Sequence, residues 1–237
     1  MDDQVAKLVD KAWSKFQAKP KDERFMIAIG GIPGSGKTTL SQIVTESLNA
    51  RYAKQNPDSD SIAAFVPMDG YHLTRAQLSA MPNPENAHAR RGAEFTFDGS
   101  AFRSLVKALR EPLTAQSQTI YAPSFDHAVK DPKENDISIL PKHRIIVFEG
   151  NYVVLDKAPW NEAAELMDER WFVEVDIPVA RKRLVARHVR AGIAENEEAA
   201  GKRADENDLP NGVEIQEHLY RVSETVYSRD DQAWRHE

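Results

Sequence analysis

A glycine-rich loop between a short apolar segment and a helical pattern constrains the fold of this chain more than any other feature. Residues 27–44 read IAIGGIPGSGKTTLSQIV, and the P-loop pattern Gly-x-x-x-x-Gly-Lys-Thr occupies residues 31–38. Such a loop needs glycine because its backbone turns sharply and directs N–H groups at phosphate oxygens. The helix that follows attracts the same anion with its N-terminus. The segment therefore predicts a strand, a loop that holds a nucleoside triphosphate, and a helix.

Side chains of the loop have predicted roles of their own. Lys37 would reach the β- and γ-phosphates, and the hydroxyl group of Thr38 would bind Mg²⁺. A glycine-rich turn without a ligand is the alternative, but the motif and the strand and helix around it agree. The residues of the loop that we expect to bind ATP are Gly31, Pro33, Gly34, Ser35, Gly36, Lys37, Thr38 and Thr39.

Apolar runs that alternate with helical patterns predict the fold class. Strands are expected at 25–32, 62–69, 143–150 and 170–176, with a shorter one at 119–125. Helices are expected after the loop and at 3–18, 100–110, 178–192 and 213–228. Continuously apolar strands between helices indicate a parallel sheet that is covered on both faces.

The expected fold is therefore a three-layer α/β P-loop NTPase fold with a mainly parallel sheet of about five strands. We expect a single domain over residues 1–237. Within it we expect an N-terminal helical segment at 1–24, an insertion on the substrate side at 70–98 and a helical lid at 181–205.

Composition argues against several classes of function. The net charge of -6 and the pI of about 5.7 argue against a large nucleic-acid surface. The chain has no cysteine, which excludes disulfides, zinc–thiolate sites and a cysteine nucleophile. No apolar run approaches the ~20 residues that span a bilayer, and the N-terminus does not resemble a signal peptide. We expect a cytoplasmic protein that acts on a small molecule, without nucleic-acid or membrane partners.

Two carboxylates end predicted strands. Asp69 follows the strand at 62–69, and a carboxylate there faces the ligand crevice, where it could accept the proton of an attacking hydroxyl group. Glu149 ends IIVFEGNY like a Walker B strand and would hold Mg²⁺ directly or through water. The alternatives are that Asp69 and Gly70 only form a turn and that Glu149 is solvated. The chain lacks the Asn-Lys-x-Asp motif of GTPases and the Leu-Ser-Gly-Gly motif of ABC-type ATPases, which argues against a switch or a motor.

Six segments together resemble the phosphoribulokinase, uridine kinase and type I pantothenate kinase family. They read GIPGSGKTT, MDGYHL, RRGAEFTFD, YAPSFDHAVKD, VFEGNYVVLD and ARKRLVARHVRAG, and they follow the family's order over about residues 25–192. The resemblance implies a kinase that transfers the γ-phosphate of ATP, with Mg²⁺, to a hydroxyl group of a small metabolite. It implies that Asp69 is the general base and Glu149 the acid on the magnesium side. A homodimer is possible, because relatives often form one.

The motifs leave the acceptor open. Uridine kinases usually have Asp-x-Phe-Tyr where this chain has Asp-Gly-Tyr-His at 69–72, and no uracil-reading segment is recognisable. Pantothenate kinases are longer and differ inside the P-loop. We expect a nucleoside first, and pantothenate, a sugar or a sugar acid as alternatives. A regulatory or assembly ATPase that hydrolyses ATP slowly is the alternative of another class.

Further side chains complete the expected site. Arg183, Arg187 and Arg190 share one face of a predicted helix that forms a lid in this family, where guanidinium groups stabilise the transferred phosphoryl group. Arg187 is expected to be catalytic and the other two to bind the nucleotide, although a solvated helix face is the alternative. The residues expected to face the acceptor are Tyr71, His72, Arg91, Phe97, Tyr121, Asp126, His127 and Asn151.

Two helix starts are also predicted. Asp98 should cap the helix that begins at Gly99. Asn211 should cap the last helix, with Glu214 completing a capping box.

Overall fold

A five-stranded parallel sheet forms the centre of the molecule. The computed structural model describes residues 2–57 and 59–229. Its strands are β1 (Phe25–Gly31), β2 (Ala63–Pro67), β3 (Ile120–Asp126), β4 (Asp131–Ile139), β5 (Ile145–Gly150), β6 (Glu169–Glu174) and β7 (Glu224–Tyr227). The order in the main sheet is β2-β5-β1-β6-β7, and all its neighbouring strands pair in parallel. The predicted α/β class, with a mainly parallel sheet of about five strands, is confirmed.

Helices connect these strands. They are α1 (Asp2–Gln17), α2 (Lys37–Gln55), α3 (Arg75–Ser79), α4 (Pro84–Ala89), α5 (Gly99–Arg110), α6 (Trp160–Glu165), α7 (Ile177–Arg190), α8 (Glu197–Arg203) and α9 (Leu209–Glu217). A π-helix at Ala204–Asp208 joins α8 to α9, and a 3₁₀ turn at Met68–Tyr71 follows β2. None of the helices in the described ranges is long and apolar enough to cross a membrane.

Both faces of the sheet are covered, because β1 sends alternate side chains into two apolar cores. Met26 and Ala28 belong to the core under α5 and α6, and Ile27 and Ile29 to the core under α1 and α2. Both cores are shielded from solvent, with Trp160 and Trp171 among the largest fully buried side chains. This gives the three predicted layers.

Two of the expected elements differ in the structure. The segment at 119–125 does form a strand, β3, but it pairs antiparallel with β4 in a separate two-stranded sheet. The fifth strand of the main sheet is instead β7, which pairs with β6 where we expected the helix 213–228 to continue. That helix is α9, which ends at Glu217. The sequence Glu-Thr-Val-Tyr of β7 contains β-branched and aromatic residues, which suit a strand once a partner strand is present.

The two predicted helix caps have different outcomes. The side chain of Asp98 accepts a hydrogen bond from the N–H group of Ala101, which confirms it as the cap of α5. The prediction for Asn211 is wrong, because it lies inside α9 and is buried. Its side chain accepts a hydrogen bond from Arg90 instead.

The segment 70–98 contains α3 and α4 and has both ends in the core, since Tyr71 and Phe97 are buried there. Of the expected single domain, residues 1, 58 and 230–237 lie outside the described residues. The assignment of an insertion, a lid and one domain stays a prediction.

Candidate active site

The P-loop lies between β1 and α2, and its glycines are required by the backbone. Gly34 and Gly36 have φ of 81° and 88°, a left-handed conformation that other residues rarely adopt. A Cβ at Gly34 would also approach the carbonyl oxygen of Ala180 to 2.7 Å. Gly36 precedes α2 and has no side chain with which to cap it, so the N–H groups of the first turn are left for an anion.

The register of the sheet places the Walker B carboxylate beside this loop. Ile29 of β1 pairs with Glu149 of β5, two residues before β1 ends. Thr38 Oγ1 donates a hydrogen bond of 3.1 Å to Glu149 Oε1, and Lys37 Nζ lies 4.0 Å from the same oxygen. Lys37 and Glu149 are both buried. Residues predicted from two separate segments, the P-loop and the strand that ends at Glu149, therefore lie next to each other.

Burial and the partner's charge have opposite effects on the pKa values of Lys37 and Glu149. Burial lowers the pKa of Lys37 and raises the pKa of Glu149, and the opposite charge of the partner offsets part of each change. The charges of Asp69 and Arg187 act on both of these pKa values, and the charge of Asp208 acts on the pKa of Lys37. The charges of Asp69 and Arg187, which we predicted to be catalytic, are therefore close enough to act on this pair.

Asp69 lies in the 3₁₀ turn directly after β2. Pro67 at the end of β2 pairs with Glu149, so the turn begins beside the Lys37–Glu149 pair. Asp69 is exposed, and within the described residues its carboxylate accepts no hydrogen bond. The next position, Gly70, requires glycine, because a Cβ there would lie 2.1 Å from the carbonyl oxygen of Pro123. The turn that we considered as an alternative is present, and it leaves the carboxylate open to a ligand.

Thr38 and Glu149 together have the chemistry that suits Mg²⁺. A hydroxyl oxygen and a carboxylate oxygen are hard donors, and Mg²⁺ commonly takes one or two protein ligands plus phosphates and water. Within the ranges that the structure describes, no group of three or more His, Cys, Asp or Glu side chains could hold a metal ion. These residues would therefore hold Mg²⁺ jointly with a bound triphosphate.

The three predicted lid arginines differ in their surroundings on α7. Arg183 Nη1 donates to the carbonyl oxygen of Gly34 at 3.2 Å and to Ser228 Oγ at 2.9 Å, so it braces the P-loop. Arg187 is exposed, and its charge reaches Lys37 and Glu149. Arg190 is exposed at the end of the helix.

The aromatic residues expected at the acceptor lie mostly in the core. The ring of Tyr71 packs edge-on against Phe102, and Phe97 packs in the same way against Tyr152. Their rings therefore contribute to the core, in contrast to the expected contact with the acceptor. His72 lies over Phe97, with the ring centroids 4.0 Å apart, and burial lowers the pKa of His72. The charge of Asp69 and its backbone hydrogen bond offset part of this decrease in the pKa of His72.

Arg91 is used within the protein rather than left for a ligand. Its guanidinium group donates to the carbonyl oxygens of Lys130 at 2.7 Å and Leu73 at 3.0 Å. It also pairs with Asp131 at 3.1 Å. Arg91 therefore fastens the β3–β4 hairpin to the segment 70–98, in contrast to the expected contact with an acceptor.

The remaining predicted acceptor residues lie on the hairpin or after β5. Asp126 Oδ1 accepts hydrogen bonds from the N–H groups of Ala128 and Val129 and so closes the hairpin turn. Tyr121 and His127 are exposed on this hairpin. Asn151 follows β5, and its buried Oδ1 has no hydrogen-bond partner among the described residues. Asn151 is thus the one of these four that has a buried polar atom left for a ligand.

Sequence reasoning did not identify the acid on the opposite side of the site. Asp208 ends the π-helix, and His188 Nε2 lies 3.5 Å from Asp208 Oδ2. Burial raises the pKa of Asp208, and the nearby charges of His188, Arg203, Arg187 and Lys37 offset part of that increase. The sequence NDLPN predicts only a loop and a helix cap, because a π-helix has no characteristic residue pattern.

Comparisons with known proteins agree with this geometry. A sequence model described as "Phosphoribulokinase / Uridine kinase family" matches residues 26–191. The "ATP-dependent kinase-like protein notR'" of Aspergillus versicolor is 55% identical over 159 residues, which are 67% of this chain and 92% of that protein. The "Putative uridine kinase C227.14" of Schizosaccharomyces pombe is 41% identical over 197 residues, which are 83% of this chain and 80% of that protein. The crystal structure of YFH7 from Saccharomyces cerevisiae superimposes with a TM-score of 0.84 at 22% identity, covering 96% of this chain and 99% of that one.

Proposed function

The chain belongs to the phosphoribulokinase and uridine kinase family of ATP-dependent P-loop kinases, and from this premise we propose that it transfers the γ-phosphate of ATP to a hydroxyl group of a small metabolite. The observation that carries this proposal is the open carboxylate of Asp69 beside the buried Lys37–Glu149 pair. A protein that only binds ATP has no need of a second carboxylate that is open to an acceptor.

In the proposed mechanism, the P-loop N–H groups and Lys37 bind the triphosphate. Asp69 accepts a hydrogen bond from the acceptor hydroxyl group and takes its proton as the oxygen attacks the γ-phosphorus. The bond between the γ-phosphorus and the β,γ-bridging oxygen breaks, and ADP leaves. Lys37 and Arg187 stabilise the negative charge on the phosphoryl group. Mg²⁺ held by Thr38 and Glu149 would neutralise charge on the β- and γ-phosphates.

For the acceptor, a nucleoside is the first class to test, supported by the similarity to the fission yeast protein named as a putative uridine kinase. Pantothenate, sugars and sugar acids are the alternatives that the family resemblance leaves. A cytoplasmic location and a homodimer remain parts of the proposal. The competing function is a regulatory ATPase whose basal rate no metabolite changes.

The decisive experiment measures ADP release from ATP and Mg²⁺ with a panel of nucleosides, pantothenate, sugars and sugar acids, and identifies the product by mass spectrometry. One acceptor should raise ADP release and gain one phosphoryl group. In Asp69→Asn this rate should fall about 10²–10⁴-fold, because a positioned general base contributes that much. Binding of a non-hydrolysable ATP analogue should be unchanged.

Asp10→Asn is the matched control, since Asp10 is an exposed acid that pairs with Arg51 on the surface. A panel without any phosphorylated product over a constant basal rate would favour the regulatory ATPase. Full transfer by Asp69→Asn would show that Asp69 is only a turn residue.

A further inference from the structure

A histidine and an acid that the proposed mechanism does not use face each other between α7 and the π-helix. His188 lies on the buried side of α7, together with Ala180 and Leu184, at intervals of four residues. Its Nε2 lies 3.5 Å from Oδ2 of Asp208, the last residue of the π-helix. An apolar side chain would fill this position on α7 without the cost of burying a polar ring, so packing alone does not account for a histidine here.

Each of these two groups is the main polar neighbour of the other. His188 is only 2% exposed, and its Nδ1 has no hydrogen-bond partner among the residues that the structure describes. Asp208 Oδ2 is the one carboxylate oxygen in the described ranges that is buried without a hydrogen bond. Burial lowers the pKa of His188 and raises the pKa of Asp208, and the largest effect that opposes each change is the charge of the other group.

The pair attaches the turn of α7 that carries Arg187. Four residues before Arg187, and therefore on the same face of the helix, Arg183 donates to the carbonyl oxygen of Gly34 in the P-loop. One residue after Arg187, His188 faces Asp208. These contacts join α7 to the P-loop on one side and to the π-helix on another, so they fix the rotation of the turn between them. That rotation decides where the exposed side chain of Arg187 points.

The charge of Asp208 also acts on the cations of the catalytic centre. The positive charges of Arg203, Arg187 and Lys37 offset part of the increase that burial causes in the pKa of Asp208, and the charge of Asp208 acts on the pKa of Lys37 in return. Cations that converge on one site repel each other, and a nearby carboxylate reduces that repulsion. In the described part of the chain no acid forms an ion pair with Arg187, so its donors are left for a phosphate.

The π-helix accounts for the direction of this carboxylate. It belongs to a helical stretch that runs without a break over residues 197–217 as α8, the π-helix and α9. A π-helical turn contains more residues than an α-helical one, and such turns occur frequently at functional sites. In this turn Asn207 donates to the carbonyl oxygen of Arg91, while the next residue, Asp208, faces His188. The turn thus directs two consecutive side chains at two different neighbours.

We propose that Asp208 and His188 are positioning residues, which together hold α7 in the rotation that directs Arg187 at the phosphoryl group in transfer. Neither residue contacts the substrate in this role. The inference rests on the proposed function, because Arg187 acts there on the transferred phosphoryl group. It assigns to the π-helix the support of a catalytic arginine.

The first test compares turnover with nucleotide affinity in variants of the full chain. ADP release is measured at saturating ATP and Mg²⁺, with water as the acceptor and with any acceptor that the metabolite panel identifies. In Asp208→Asn and His188→Phe, kcat should fall about 10–100-fold, because a small displacement of a catalytic group greatly lowers the rate. The Kd for AMP-PNP should stay unchanged. His188→Gln should recover most of the rate, since its amide keeps a donor for Asp208.

The second test asks whether the pair acts through Arg187. Asp208→Asn should lower kcat in the wild-type background but add almost nothing to Arg187→Gln, because the group that it positions is then absent. Asp205→Asn is the matched control. Asp205 pairs with Arg181 at 2.7 Å and so joins the same π-helix to the same α7, but at an exposed edge. The control should keep the wild-type kcat.

A third measurement needs no turnover. Aluminium fluoride with ADP and Mg²⁺ mimics the phosphoryl group in transfer, and it should tighten ADP binding in the wild type. Asp208→Asn should lose as much of this tightening as Arg187→Gln does, and Asp205→Asn should lose none. A wild type that neither turns over ATP nor binds ADP more tightly with aluminium fluoride would have no Arg187 effect to support, which would overturn the inference.

Three further outcomes would contradict it. They are an unchanged kcat in Asp208→Asn, a loss that adds in full to that of Arg187→Gln, and an equal loss in Asp205→Asn. A loss in His188→Phe that His188→Gln does not restore would show that His188 only packs. Products separate this failure from failure of the kinase proposal. Phosphorylation of a metabolite at the wild-type kcat in Asp208→Asn would leave the kinase standing without the positioning pair, and a positioning effect on hydrolysis without any phosphorylated metabolite would leave the pair standing without the kinase.

Discussion

Lys37 and Glu149 are two opposite charges that the fold buries at the end of the central strands. Isolated buried charges are costly, and each of these two makes burial of the other tolerable. Thr38 adds a hydrogen bond to the carboxylate. The residues nearest the expected phosphates are thus held in place by the protein before any nucleotide binds.

Of the three arginines predicted to lie on a lid, Arg187 is the one whose charge acts on the pKa values of both Lys37 and Glu149. We predict that Arg187→Gln lowers kcat about 10²-fold, the cost of removing one donor that stabilises transition-state charge. The KM for ATP should change much less. Steady-state kinetics with Lys202→Gln as the control tests this, because Lys202 is an exposed cation on α8. Equal kcat in both variants would contradict the role of Arg187.

At the scale of elements, the P-loop depends on its fit against α7. Arg183 donates to the carbonyl oxygen of Gly34, and the backbone of Ala180 approaches Gly34 closely. A side chain at position 34 would therefore push the loop away from the helix that supports it.

We predict that Gly34→Ala lowers the affinity for AMP-PNP at least tenfold while the protein stays folded. The left-handed conformation costs a non-glycine residue about 1–2 kcal/mol, and the contact with Ala180 adds to this. Gly192→Ala is the control, because Gly192 also has a positive φ of 62° but open space around its Cβ position. Calorimetric titration should show unchanged affinity in the control. If both variants lost the same affinity for AMP-PNP, the contact between position 34 and Ala180 would not be the cause.

The outer strand β7 and helix α1 are joined to β6 through a buried carboxylate, Glu169. It accepts hydrogen bonds from Lys11 at 3.0 Å and from Trp171 and Ser223 at 2.8 Å, and it also pairs with Lys15. Burial alone would raise the pKa of Glu169, but these hydrogen bonds outweigh it and lower the pKa to about 2.

This gives a prediction for acid unfolding. Because the pKa of Glu169 is lower in the folded chain than its ordinary value of 4.5, its contribution to stability is complete above about pH 4.5 and disappears as the pH falls through about 2. The contribution is about 3 kcal/mol at neutral pH. Glu169→Gln should be less stable than wild type at pH 7, and the difference should shrink between pH 4.5 and 2. Urea unfolding at several pH values measures it, and a difference that does not depend on pH would contradict the assignment.

At the scale of the whole molecule, the site is assembled from segments that are far apart in the chain. The P-loop, the turn after β2, the end of β5, α7 and the π-helix all meet at the carboxyl edge of the sheet. A ligand bound there would contact elements that pack on both apolar cores. We therefore expect its binding to stabilise the entire fold.

We predict that AMP-PNP with Mg²⁺, at 100 times its Kd, raises the melting temperature by about 5–10 °C. Ligand binding at that ratio adds about 2.7 kcal/mol, and 1 kcal/mol shifts the melting temperature of a chain of this size by about 2–4 °C. Lys37→Met should lose most of this shift, because the lysine that binds the phosphates is gone. Thermal unfolding with and without the analogue measures it. A full shift in Lys37→Met would contradict the role of Lys37.

The elements that could be predicted from the sequence are those with a local physical cause. The P-loop has glycines where the backbone must be left-handed, the strands are short continuous apolar runs, and Asp98 caps α5. Asp69 and Glu149 could be assigned to one site because parallel strands bring their carboxyl ends to the same edge of a sheet.

Features that depend on partners distant in sequence could not be predicted, because they arise only when the chain folds. β7 forms a strand because it pairs with the edge of β6, and the side chain of Asn211, inside α9, accepts a hydrogen bond from the distant Arg90. Arg91 resembles a ligand-binding residue in sequence. In the structure its guanidinium group donates hydrogen bonds to Asp131 and to two backbone carbonyl oxygens. No local pattern encodes these contacts, because each depends on where the folded chain places the other partner.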